Sequence, residues 1–149
     1  MNGKSVVRTR KIVRHRQFLE DHAKADLQLR SQELKEAQAE TEKSRASLSA
    51  VSAWKNSQGA DGGLDLTLYQ NALHFESVCA SAATAAELAQ ETAEAEKLEA
   101  TGKHLAAING TNVANARLDR VSEQWRMRQE HALADQVADL WLANKDKLK

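Results

Sequence analysis

The sequence predicts an all-α protein: a long antiparallel two-helix coiled-coil hairpin whose C-terminal helix overhangs its partner. Three observations predict it. The 149 residues include no proline, the strongest helix breaker. Half of the six glycines fall in one short stretch, Gly59-Ala60-Asp61-Gly62-Gly63. On either side of that stretch, apolar and small residues recur in a 3-4 rhythm, the mark of a stripe along a helix.

Composition agrees. Charged residues make up 28% of the chain, and six aromatic residues with much alanine cannot fill a thick core. A thin two-helix seam needs less apolar area.

The first arm is expected to run from about residue 4 to 56, roughly 80 Å at about 1.5 Å per residue. Its stripe is Ala23, Leu27, Leu34, Ala37, Thr41, Ser44, Leu48 and Val51, with Arg30 in a skipped position. Ile12, Val13, Phe18 and Leu19 continue it upstream in a less regular phase. The loop is placed at about 57–63, where glycine relieves the steric cost of a tight turn and Asp61 is positioned to cap the next helix.

The second arm is expected over about 64–145, completing one domain over 1–149. It opens with Leu68, Ala72, Phe75, Cys79, Ala82, Ala86, Ala89 and Ala93. The phase then jumps to Leu98 and Leu105, near Gly102 and Gly110, which predicts a stutter or kink. A further stripe follows: Leu118, Val121, Trp125 and Ala132, with Leu133, Val137, Leu140 and Trp141 beyond. A turn centred near residue 60 sets Val13 near Ile108 and ends the first arm near residue 116, leaving about thirty residues of the second helix without a partner. The alternative architecture is a three-helix bundle bent near Gly110. Either a fold-back or another protein must cover the apolar stripe.

Little in the chain points to bond chemistry. The glycine stretch lacks the spacing of a phosphate-binding loop, and Asp61 would repel a phosphate. The five histidines show no metal-ligand spacing, so neither a metal nor any other cofactor is expected. Cys79 sits on the stripe, where a buried structural thiol is expected, and a lone cysteine excludes an intramolecular disulfide. No apolar run is long enough to insert into a membrane.

Charge is balanced in total, with 21 basic and 21 acidic side chains, but unevenly placed. Lys4, Arg8, Arg10, Lys11, Arg14 and Arg16 precede the first acid, Glu20, and Glu87, Glu91, Glu94, Glu96 and Glu99 cluster in the second arm. A basic stretch attracts any polyanion, but aromatic interleaving of the single-strand-binding kind is absent, and nucleic acid is not the expected partner.

Particular stretches carry a family resemblance. Arg14-His15-Arg16-Gln17-Phe18-Leu19-Glu20-Asp21-His22-Ala23 resembles the basic-to-acidic entry of the first helix in the central stalk proteins of type III secretion systems. These are the YscO family of injectisomes and its flagellar counterpart FliJ. Leu48-Ser49-Ala50-Val51-Ser52-Ala53-Trp54-Lys55 is similar to the tryptophan-basic element before the loop in YscO-type members, and Leu68-Tyr69-Gln70-Asn71 to the start of the second helix in FliJ. Ser77 to Ala86 is plainer than its FliJ counterpart, and Gly102 and Gly110 are unusual.

The resemblance implies a non-enzymatic rod, similar to the rotary stalk of F-type ATPases, in the cytoplasm at the base of the secretion apparatus. Its implied partners are the hexameric export ATPase, the cytosolic domain of the export gate and secretion chaperones. Arg8, Arg10, Lys11, Arg14, Arg16, Arg117, Arg120, Arg126 and Arg128 are then candidates for the ATPase surface, and Tyr69, Leu73 and Phe75 for the gate surface. Set beside it are a coiled-coil adaptor dimerising through the C-terminal helix and a polyanion-binding protein using residues 4–16.

Overall fold

A computed structural model describes residues 3–58, 63 and 65–147. Among them the chain is two helices packed against each other as an antiparallel hairpin, α1 (Gly3–Ser57) and α2 (Leu66–Lys147). The expected boundaries differ from these by no more than two residues. Gly59, Asp61 and Gly62 lie outside the described residues. The cap of α2 is supplied by Asp65, whose Oδ1 accepts the backbone N–H groups of Thr67 (2.9 Å) and Leu68 (3.3 Å). A carboxylate there satisfies donors that the first turn leaves open and complements the helix dipole.

The hairpin divides into two compact units. The loop unit, Lys24–Lys103, is held by small residues. On α1, Leu34, Thr41 and Ser44 are buried; on α2, Cys79, Ala83, Ala86 and Ala100 are. Thr41 is 1% exposed, and its Oγ1 lies 2.9 Å from the Ala37 carbonyl on its own helix and 3.2 Å from that of Ala86 on the other. A side chain so short reaches the opposite backbone only because alanine holds the helices apart no further. Arg30 occupies the skipped stripe position. It is half-buried and bonds Glu33 and, across the hairpin, Glu96, both at 2.9 Å. Those bonds and the charge of Asp26 raise its pKa above the usual guanidinium value.

The terminal unit comprises Met1–Ala23 and His104–Lys149. Its seam joins Val6, Thr9 and Val13 to Thr111, Ala114 and Val121, all buried. Thr9 and Thr111 satisfy their hydroxyls on the carbonyls of Ser5 and Ala107, four residues back. Ile12, Phe18 and Leu19 are exposed. The regular register runs instead through Val6, Thr9, Val13, Arg16 and Glu20, where polar residues hide it from a reading of apolar positions alone.

The seam of α2 also differs from the expected one. Ala72, Cys79, Ala86 and Ala93 lie on it, but Leu68, Phe75, Ala82 and Ala89 are exposed, and the seam takes the next residue each time: Tyr69, Glu76, Ala83 and Gln90. It then continues through Lys97, Ala100, His104, Ala107, Thr111, Ala114, Leu118 and Val121 at unbroken 3-4 spacing. There is no phase jump. Leu98 and Leu105 point to solvent, and α2 is a single helix through Gly102 and Gly110, so the three-helix alternative fails. Gly110 serves another purpose: a Cβ there would meet Nη1 of Arg16 at 3.4 Å, so its absence leaves room for the guanidinium.

Contacts also move the centre of pairing. Thr41 with Ala86, Ser52 with Glu76, Arg16 with Gly110 and Gly3 with Trp125 are all centred at residues 63–64, not 60. The first arm therefore reaches Trp125 rather than residue 116. The overhang is residues 126–147, shorter than expected by several residues.

Two substitution sets test this register through urea midpoints. Ala100 is 3% exposed and Leu98 74%. Overpacking by Ala100→Leu should destabilise by about 1–3 kcal/mol, while Leu98→Ala should change stability by less than about 0.5 kcal/mol. A Cβ on Gly102 meets nothing within 4 Å, so Gly102→Ala should stabilise the helix by about 1 kcal/mol.

Candidate interaction surfaces

Three surfaces stand out. The first is basic. Residues 3–23 and 104–125 carry eight Lys and Arg against four Asp and Glu, whereas the loop unit carries eight against thirteen. The register brings the two basic sequence clusters together, because pairing about residues 63–64 sets Arg8 and Arg10 level with Arg117 and Arg120. Arg8, Arg10, Lys11, Arg14, Arg16, Arg117, Arg120 and Arg128 are all exposed by residue, although Arg16 lies over Gly110. Arg126 bonds Glu123 at 2.8 Å and sits 3.7 Å from Glu130. Arg10 and Arg126 line an open, mostly apolar cleft of about 590 Å³ together with Gly3, Val6, Val7 and Trp125.

The second surface flanks the loop. Tyr69 is half-buried on the seam, while Leu73 and Phe75 are exposed. Two residues apart on a helix, Leu73 and Phe75 project about 200° from one another, so they do not form one face. Phe75 has a neighbour that its helical phase does not show: a small apolar cleft joins it to Ala50, Val51, Trp54 and Ala72. The signal available in sequence was the match of Trp54 and Phe75 across the turn, which becomes legible only once the pairing centre is known.

Beside this cleft, Glu76 occupies a seam position. It accepts a 2.6 Å bond from Lys55 Nζ and a 2.8 Å bond from Ser52 Oγ. These two donors, Lys55 first, hold the Glu76 carboxyl below its usual pKa. Elsewhere in the loop unit the glutamates split into roles. Glu87 bonds Arg45 across the hairpin at 2.8 Å, Glu99 bonds Lys103 one turn on at 2.7 Å, and Glu91 and Glu94 stay at the solvated edge.

The third surface is the overhang. Every residue from Glu123 to Lys145 is exposed, including Leu133, Val137, Leu140 and Trp141 at 59%, 65%, 65% and 62%. At about 100° per residue these four share one face, roughly 140° round the helix from the seam direction. Positions that would prolong the seam are Arg128, Ala132, Asp135 and Asp139. The expected single stripe from Leu118 to Trp141 is thus two: a seam that ends at Trp125 and a separate face beyond it.

Among the described residues no group of His, Cys, Asp and Glu could hold a metal ion, and no helix is long and apolar enough to cross a membrane. Cys79 is buried and unpaired on the seam. Comparison with protein-family models, with curated proteins and with solved structures returns no match.

Acid should loosen the loop end of the hairpin. The lowered Glu76 pKa means its bonds stabilise the fold above the ordinary carboxylate pKa and are lost as pH falls through the folded value. Protection factors for amide exchange near Ser52 and Glu76, which correct for the intrinsic pH dependence of exchange, should therefore fall on acidification, and Glu76→Gln should flatten that dependence.

Proposed function

We propose that this chain is a non-enzymatic stalk and coupling protein of a type III secretion system. In this reading it binds the hexameric export ATPase with its terminal unit and the cytosolic domain of the export gate with the loop unit, and works in the cytoplasm at the base of the apparatus. Secretion chaperones are further partners. The observation that carries the reading is the overhang: α2 outruns α1 by some twenty residues and keeps a large apolar face turned away from the hairpin seam. A helix end of that kind is incomplete alone.

Charge supports it. The exposed arginines of the paired part of the terminal unit suit an acidic lining, and the overhang offers an apolar face beside them. A stalk of this kind acts by shape and charge on successive subunits of a ring. At the other unit, the Trp54–Phe75 cleft replaces the Tyr69–Leu73–Phe75 set as the apolar contact best suited to the gate.

Purified protein should raise the turnover of the export ATPase, and Leu133→Asp with Leu140→Asp should weaken that activation by at least about tenfold, the effect of a loss of about 1.4 kcal/mol. A turnover unaltered by the unsubstituted protein, together with no binding to the gate domain, would end this reading.

A further inference from the structure

Leu133, Val137, Leu140 and Trp141 are exposed among the described residues, and the pattern around them is close to symmetric about Val137. Leu133 lies four residues before it, and Leu140 and Trp141 lie three and four after it. Glu130 lies seven before; Asn144 and Lys145 lie seven and eight after. Arg126, Glu130, Leu133, Val137, Leu140 and Asn144 follow the 3-4 rhythm of a helix-pairing face.

We propose that the overhang pairs with the overhang of a second copy of this chain, antiparallel, with the twofold axis at Val137. In that register Val137 meets Val137, and Leu133 meets Leu140 and Trp141. Glu130 then meets Asn144 and Lys145, twice by symmetry. Charge selects this orientation. A parallel pair in register would set Glu130 on Glu130 and Lys145 on Lys145, whereas the antiparallel pair opposes unlike charges. Lys145 already leans over Trp141, its Nζ 5.1 Å from the ring centroid, which holds the ammonium beside the apolar face where the opposite Glu130 arrives. Among the described residues the ion-pair partner of Glu130 is Arg126, at 3.7 Å. Asp135 and Asp139 lie on the seam side of the helix and do not meet across the axis.

Area sets the strength. Four apolar residues per copy, 59% to 65% exposed, give a paired face no larger than the roughly 1,000 Å² that marks the lower limit for a specific interface. The dimer is therefore weak and depends on concentration. The proposal does not rest on the secretion reading: it needs only the isolated full-length chain, so either can fail without the other. Where both hold, dimer and ring compete for one face.

Sedimentation equilibrium of the full chain should show the average mass rising from one copy toward two over roughly 1–200 µM, as a small interface requires. Leu133→Asp with Leu140→Asp should abolish the rise with helix content unchanged by circular dichroism. Lys145→Glu should weaken association by about two- to tenfold, and adding Glu130→Lys should restore it. In a Cys79→Ala background, Val137→Cys should form an intermolecular disulfide on mild oxidation, and Glu130→Cys should not. A chain that stays monomeric throughout overturns the proposal, even if it then binds the export ATPase through the same face. Equal crosslinking at Glu130→Cys and Val137→Cys overturns the antiparallel register.

Discussion

The close approach of two helices along a seam of small residues governs the rest of the structure. Thr41 is almost wholly buried and reaches the Ala86 carbonyl at 3.2 Å, a distance that a leucine in place of Ala83 or Ala86 would forbid. Alanine and threonine bury little apolar area each, so no single seam residue stabilises the hairpin much. Length compensates: the 3-4 register runs without interruption on α2 from Tyr69 to Trp125. A seam this narrow also expels bulk. Phe75, Leu88, Leu98 and Leu105, which a thicker core would take in, stand on the outside of α2.

Because two helices enclose short side chains such as Thr41 but not long ones, the seam tolerates charge at its edges. Arg30, Glu76, Lys97 and His104 occupy seam positions while their polar ends reach water or an ionic partner. Three bridges between the helices, Arg30–Glu96, Arg45–Glu87 and Lys55–Glu76, lie in the loop unit. Exposed pairs of this kind contribute little stability individually, but each opposes a particular pair of positions and so helps to fix the register. In the terminal unit the buried seam residues are valine, threonine and alanine, and Arg8, Arg10, Lys11, Arg14, Arg117 and Arg120 are exposed.

That division bears on function. The loop unit spends its acidic residues partly on its own arginines and lysines, whereas the terminal unit keeps a basic excess and an apolar overhang directed away from its seam. Both the proposed ring contact and the proposed self-pairing draw on this second face. It exists because the register of apolar residues changes after Trp125, where α1 has ended.

Much of this was legible in the amino-acid sequence. Absence of proline and the clustering of glycines pointed to two long helices, while Gly102 and Gly110 left a bend in the second open until α2 was seen to run unbroken through both. Along α1 the stripe from Ala23 to Val51 is the observed seam, including Arg30. The basic and acidic clusters were equally plain. What periodicity could not decide was which of two adjacent positions faces the partner on α2, for Phe75 and Glu76, or Ala82 and Ala83, offer the same spacing. Hydrophobicity favours Phe75; packing against alanines and Lys55 selects Glu76. Nor could it place the centre of pairing, a non-local quantity set by every cross-helix contact at once, and with it the limit of the overhang. Helix existence is a local property of the chain. Register belongs to the pair, and only the tertiary structure contains the pair.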